Sequence, residues 1–292
     1  MTPPATGVAS LAVRELLRGP CRAGRVLAVL PQAIYLEFPD TAPAPRVIAL
    51  SVPDAIRLPN AIITSAGITS AGITSGTGDG ERPVTTDAAA TAGEGTVTAG
   101  GLAVRIVRWW DPSPVFGPVS RARLDHGAGV LARHCQAAVH QAGLTGHGSP
   151  AELAACCANG DLAGAVEAAE HLAGLGPGVV PSGDGVVCGM LLALRLLGGA
   201  ISGGIRAVWL ADWLGAAATS YAAQRTTPLA AALLHCAASG QAAAEVSAVL
   251  LGMAGQEPLD PAAGRLLSGT AGADLAWGLV AGCRAALMLS VS

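Results

Sequence analysis

The stretch GLGPGVVPSGDG, residues 174–185, opens directly onto the apolar run VVCGMLLALRLLG, residues 186–198. Glycines at 174, 176, 178, 183 and 185 and prolines at 177 and 181 suit neither a helix interior nor a strand. The chain must therefore turn here and then enter an apolar helix. Such an entry leaves the first backbone N–H groups of the helix unpaired, at the positive end of its dipole. Those are the elements of a small anion site, and equally of a tight interhelical turn in which glycine only supplies unusual backbone angles. Ser182 is placed to cap the helix, and Asp184 falls in its first turn.

Two further polar junctions interrupt the apolar second half. In QRTTPLAAALL, residues 224–234, Arg225, Thr226 and Thr227 precede Pro228 at a helix start. An Arg fork matches phosphate or carboxylate, and Thr hydroxyls add donors; the plainer alternative is a Thr cap beside an exposed Arg. In SGTAGADLAWGL, residues 268–279, Thr270 and Gly272 precede Asp274, again at a helix start, where an acid also serves as an ordinary cap. Three such helix starts enclose one small anion only if they converge, which sequence does not reveal.

Composition narrows the class. Apolar residues make up 51% and aromatics only 3%, so the core is built from Ala, Leu and Val. All 17 basic residues are Arg, which excludes a Lys nucleophile, Schiff base or phosphate-loop Lys and suggests a GC-rich bacterial genome. A net charge of −3 without a basic run speaks against nucleic acid. Mean hydropathy is +0.51, yet Arg195, Asp212, Arg225 and Arg284 interrupt the apolar runs, so no membrane span of ~20 residues is expected. Arg14, Glu15 and Arg18 near the start are unlike a secretory signal, and a cytoplasmic protein is expected. Seven cysteines and six histidines show no metal-ligand spacing, so no metal and no cofactor are expected.

The chain is expected to be α+β: a β-rich N-terminal part followed by a multi-helix α bundle. Residues 1–61 hold a short leading helix, to about residue 19, and then β-branched strands such as GRVLAVL, AIYLEF and RVIALSV. Residues 62–101, with ITSAGITSAGITSG at 63–76, resemble a disordered low-complexity insertion. Residues 102–119 give a last strand, ending at Trp109 and Trp110, and a linker. Residues 120–292 are helical and carry the glycine loop. Ser149 with Glu152 forms a capping box, and Asp161 caps the next helix.

In their order, GLGPGVVPSGD, RTTPLAAALL and GTAGADLAWGL resemble the AllH-like subunit family of oxamate carbamoyltransferase, with patterns like GLGPGLTPSGDD, Arg-Thr-Thr followed by Ser, and GHTSGAD. RLPNAI and WWDPSP are also similar, so the resemblance covers most of the chain outside residues 63–101. It implies a cytoplasmic subunit of a multi-protein transferase. That enzyme interconverts oxalurate plus phosphate with oxamate plus carbamoyl phosphate in purine catabolism. Partners would be other subunits or further copies, the ligand a small anion, with neither nucleic acid nor membrane involved. By position, Gly176, Gly178, Ser182 and Gly183 hold the ligand loop, and Arg225, Thr226, Thr227, Thr270 and Gly272 complete the substrate site. Asp184 and Asp274 are the catalytic carboxylates this implies. The chain departs from the family at Val180, Gly185, Ala230, Gly269 and Ala271, each of which lacks a hydrogen-bonding or charged group of the pattern. A second function class follows: a non-catalytic binding or regulatory module that keeps the fold.

Overall fold

A computed structural model describes residues 4–39, 47–65, 67–69, 72–74, 84–137, 149–269 and 272–290. The chain divides into two compact units, Met1–Pro112 and Ser113–Ser292. The first is strand-rich and the second helical, as the composition shift requires.

The first unit is a closed eight-stranded barrel. Its elements are β1 (Ala5–Ser10), a 3-10 turn (Leu11–Val13), α1 (Arg14–Arg18), β2 (Arg22–Leu30), β3 (Ala33–Glu37), β4 (Val47–Ser51), β5 (Ala61–Thr64), β6 (Gly67–Thr69), β7 (Gly72–Thr74), β8 (Ala89–Gly93), β9 (Thr96–Ala99) and β10 (Leu102–Trp110). The barrel order is β1-β10-β9-β8-β2-β3-β4-β5. β1 lies parallel to β10, β4 lies parallel to β5, and the other pairs are antiparallel. Val26, Ile34, Leu36, Phe38, Ile48, Leu50, Ile62, Val97 and Val104 fill its fully buried core.

Two sequence expectations are corrected here. The leading segment is not only a short helix, because residues 5–10 form β1, held between β10 and β5. Nor is 62–101 a disordered insertion throughout. β5 ends at Thr64, β8 and β9 belong to the barrel, and the repeat pairs β6 with β7, Ile68 opposite Ile73. Small residues hid β8 and β9: Ala90, Ala92, Val97 and Ala99 point inward, while Thr91 and Thr98 touch through their hydroxyls at 2.6 Å. That is a period of two written in Ala and Thr.

The second unit contains α2 (Arg121–Ala137), α3 (Ser149–Asn159), α4 (Leu162–Leu172), α5 (Ser182–Leu192), a π turn (Ala193–Leu197), α6 (Gly198–Ala200), α7 (Ile205–Arg225), α8 (Pro228–Ala238), α9 (Ala244–Met253), α10 (Leu259–Leu267) and α11 (Gly272–Leu289). Asp161 caps α4 by accepting the Gly164 N–H at 3.0 Å, as its position predicts. Every residue of α5 is buried, so this helix is the axis of the unit.

Glycine sets how closely α11 approaches that axis. A Cβ on Gly189 would fall on the Leu275 carbonyl, one on Gly278 on the Val186 carbonyl, and one on Gly282 within 2.8 Å of the Met190 carbonyl. The pairing of 186 with 278 and 190 with 282 shows that α5 and α11 run parallel. The segments 182–200 and 272–289 reach the length and mean hydropathy (1.4 and 1.3) of membrane spans, contrary to the sequence expectation. Both are 78% buried inside the protein, which covers the apolar surface a bilayer would otherwise cover.

Candidate functional site at three helix starts

Gly174 ends the α4 segment with φ +71°, and Gly176 (φ +100°) and Gly178 (φ +105°) continue the loop in conformations that favour glycine. Three bonds fix the loop between α4 and α5. The Leu175 N–H donates to the Leu172 carbonyl at 3.0 Å, and the Gly183 N–H to the Leu175 carbonyl at 2.9 Å. The Gly174 N–H donates to the Asp184 carboxylate, at 3.2 Å to Oδ2. A Cβ on Gly183 would strike the Leu172 carbonyl, so α5 can start only where glycine lets it pass α4.

The loop's tip is different. Gly176, Gly178 and Val179 are exposed, and with Val180 they donate no backbone hydrogen bond among the described residues. Directly beneath lies Ser182, only 6% exposed. A Cβ on Gly176 would lie 3.0 Å from its hydroxyl oxygen. Contrary to the sequence expectation, Ser182 is not the cap. Pro181 occupies that position, and Ser182 is the first helical residue. Its hydroxyl has no hydrogen-bond partner among the described residues, and its oxygen keeps access to solvent.

Asp184 is 1% exposed, and both oxygens face groups of this chain. Besides the Gly174 N–H it accepts the Thr226 hydroxyl. Burial pushes its carboxyl up to about 6, while the Thr226 and Gly174 donors pull the other way. Thr226 therefore joins Asp184, as a donor to it. Thr227 caps α8 by accepting the Ala230 N–H at 3.1 Å, with Pro228 in the first turn. The same hydroxyl donates to the Val179 carbonyl at 2.6 Å, which pins the loop tip to the start of α8.

The helix starts lie at one end of the unit. Thr227 meets Val179 at the beginnings of α8 and α5, while Ala238 and Leu191, near their ends, both lie against Gly215 of α7. Asp274 lies in the first turn of α11 and is 3% exposed. Gly272 begins α11, where a Cβ would strike the Leu266 carbonyl. Thr270 and Ala271 lie outside the described residues.

Arg225 takes a different place from the one its sequence position suggests. Its guanidinium pairs with the Glu170 carboxylate of α4 at 2.7 Å, both side chains about half exposed. Tyr221, one turn earlier on α7, faces the same group of charges. Burial raises its phenol, followed by the nearby Glu170 and Asp184 carboxylates, with Arg225 opposing. Neither Glu170 nor Tyr221 was singled out from sequence. The i, i+4 spacing of Tyr221 and Arg225 was the available signal. Three cavities, of about 320, 560 and 280 Å³, line other parts of the unit and contain none of these residues.

Comparison with known proteins adds one result. Residues 172–283 match the family described as oxamate carbamoyltransferase subunit AllH. Neither the curated proteins nor the solved structures give a match. The matched segment begins at the end of α4 and contains the glycine loop, the Arg225 segment and the turn before Asp274. The helical unit is AllH-like across residues 172–283, a family described as a subunit of oxamate carbamoyltransferase.

Proposed function

We propose that this protein is a subunit of a carbamoyltransferase-type complex and binds a small anion, oxamate-like or carbamoyl phosphate-like, where α5, α8 and α11 begin. The observation that carries this reading is Ser182. Its hydroxyl, open to solvent and without a partner among the described residues, lies beside Gly176 at the loop tip, where the N–H groups of Gly176, Gly178, Val179 and Val180 donate no backbone hydrogen bond. Together these supply hydrogen-bond donors for an anion's oxygens at the positive end of a buried helix. The family match across the same segments supports the choice of anion.

In this reading Asp184 positions the site by holding Gly174 and Thr226, and Asp274, in the first turn of α11, is the carboxylate that acts on the ligand. Exposed Ile205, Trp209 and Trp213, spaced one turn apart on α7, form an apolar stripe suited to another subunit or a second copy. The buried free thiols of Cys157, Cys188, Cys236 and Cys283 suit a reducing cytoplasm.

A second reading is a binding subunit without chemistry of its own. Ala230 and Gly185 favour it, because both are buried at positions where the family pattern places Ser and Asp. Thermal melts of the full chain with oxamate, phosphate and carbamoyl phosphate test binding. A rise in Tm with at least one of them, lost in Ser182→Ala, is expected. No shift at millimolar concentration with any of the three refutes the anion site. Carbamoyl transfer by the chain with its partner subunits, abolished by Asp274→Asn at unchanged binding, separates a catalytic from a purely binding subunit.

A further inference from the structure

We propose that Glu170 is a built-in competitor for the ligand: its carboxylate holds Arg225 in the empty protein, and an incoming small anion displaces it while hydrogen-bonding the Tyr221 phenol. This rests on the anion-site reading above and deepens it.

The residues converge from three elements. Glu170 lies in the last turn of α4, just before the glycine loop. Arg225 ends α7, and a Cβ on Gly174 would strike its carbonyl oxygen, so the loop packs directly on its backbone. The next residue, Thr226, is bonded to Asp184. The Arg225 backbone is thus fixed at the loop, while its side chain turns to Glu170 at 2.7 Å.

That pair is built to open. Side-chain exposures are 54% for Arg225 and 41% for Glu170, so neither charge loses its water when the pair separates. Exposed ion pairs of this kind contribute little net stability. A ligand carboxylate or phosphate offers the guanidinium the same two-oxygen geometry as Glu170, plus oxygens for the loop N–H groups.

Tyr221 supplies the second contact. It is half-buried against the helical core, one turn before Arg225, and therefore on the same face of α7. Its hydroxyl has no hydrogen-bond partner among the described residues. Burial first, and then the neighbouring carboxylates, favour its protonated, donating form. The ligand class is a compact anion with at least two oxygens on one centre, such as oxamate or phosphate.

The test is isothermal titration of the full chain with oxamate and, separately, inorganic phosphate. Three variants are compared with the parent: Glu170→Gln, Tyr221→Phe and Arg225→Ala. Glu170→Gln should bind about two- to fivefold more tightly, the span of an exposed ion pair removed. Tyr221→Phe should bind about fivefold more weakly, the value of one hydrogen bond. Arg225→Ala should lose binding.

A gain of affinity in Glu170→Gln is not a result that misfolding produces. If the parent binds and Glu170→Gln binds no tighter, or Tyr221→Phe binds as the parent does, the proposal is overturned while the anion site stands. If neither the parent nor Glu170→Gln binds either anion, both fall.

Discussion

The hydroxyl of Thr226 donates to the buried carboxylate of Asp184, 42 residues earlier in the chain. Through this bond the junction of α7 and α8 is fastened to the first turn of α5. The same carboxylate holds the Gly174 N–H at 3.2 Å, so one side chain joins the end of the α4 segment, the axis helix and the α8 entry. A buried carboxylate without a salt bridge is expensive. It joins the three segments by hydrogen bonds in addition to their apolar packing.

Asp184 makes stability depend on pH in an unusual direction. Its carboxyl sits at about 6 in the folded chain against 3.8 for a free Asp, so the folded state binds the proton more tightly. The contribution of this group is therefore most favourable below about pH 4. It falls as pH rises toward 6 and is level above. The total is about 2–3 kcal/mol. Asp184→Asn keeps an acceptor for Thr226 and removes the dependence. Melts of parent and variant from pH 4 to 7 should diverge, with the variant gaining relative stability as pH rises. Parallel curves would contradict the assignment.

Thr226→Val removes a donor that pulls the Asp184 carboxyl downward. The expected loss is about 1–3 kcal/mol above pH 6, where the carboxylate is charged, and less near pH 5. Chemical denaturation at the two pH values reads the difference. Equal losses would show that Thr226 acts by packing alone.

The contact between α5 and α11 should tolerate no Cβ. Gly278→Ala places a methyl on the Val186 carbonyl, forcing two helix backbones apart at a cost of about 3 kcal/mol or more. Gly264→Ala in α10 is the control, because its Cβ meets open space. There the better helix propensity of Ala should stabilise by up to about 1 kcal/mol. Tm values for the two variants should move in opposite directions.

Replacing residues 84–101 with a short Gly-Ser linker should destroy the barrel. The exchange removes β8 and β9, which connect β2 to β10 and bury Ala90, Ala92, Val97 and Ala99. Val97→Ala alone should cost about 2 kcal/mol. Limited proteolysis of the 1–112 unit reads both. A linker variant as protease-resistant as the parent would refute the role of these strands.

The α7 stripe should govern association. Trp209 and Trp213 are more than half exposed, with ring centroids 6.2 Å apart. Trp209→Ala with Trp213→Ala should change stability by under about 1 kcal/mol but abolish oligomers or partner retention in size-exclusion chromatography. A parent that runs as a monomer and retains no partner, or a double variant that associates like the parent, would exclude this surface.

The pattern of residues alone determined the α+β division, the Asp161 cap and Asp184 in the first turn of a buried helix, and it offered a Thr cap before Pro228 as one of two readings. Each follows from local rules: a side-chain oxygen two or three residues from an N–H, or an apolar run behind a glycine turn. The AllH-like character of residues 172–283 was legible in three short motifs for the same reason. What tertiary structure decided were relations between distant segments. Residues 5–10 became a strand because β10 and β5 flank them, not because of their own propensity. Ala–Thr alternation became β8 and β9 only once a barrel offered partners on both sides. Arg225 turned to Glu170 because α4 and α7 pack side by side, and Asp184 became a joint among three segments because burial left it only their donors. Backbone preference is local and is written residue by residue. Which charge meets which is settled by packing, and packing is a property of the whole chain.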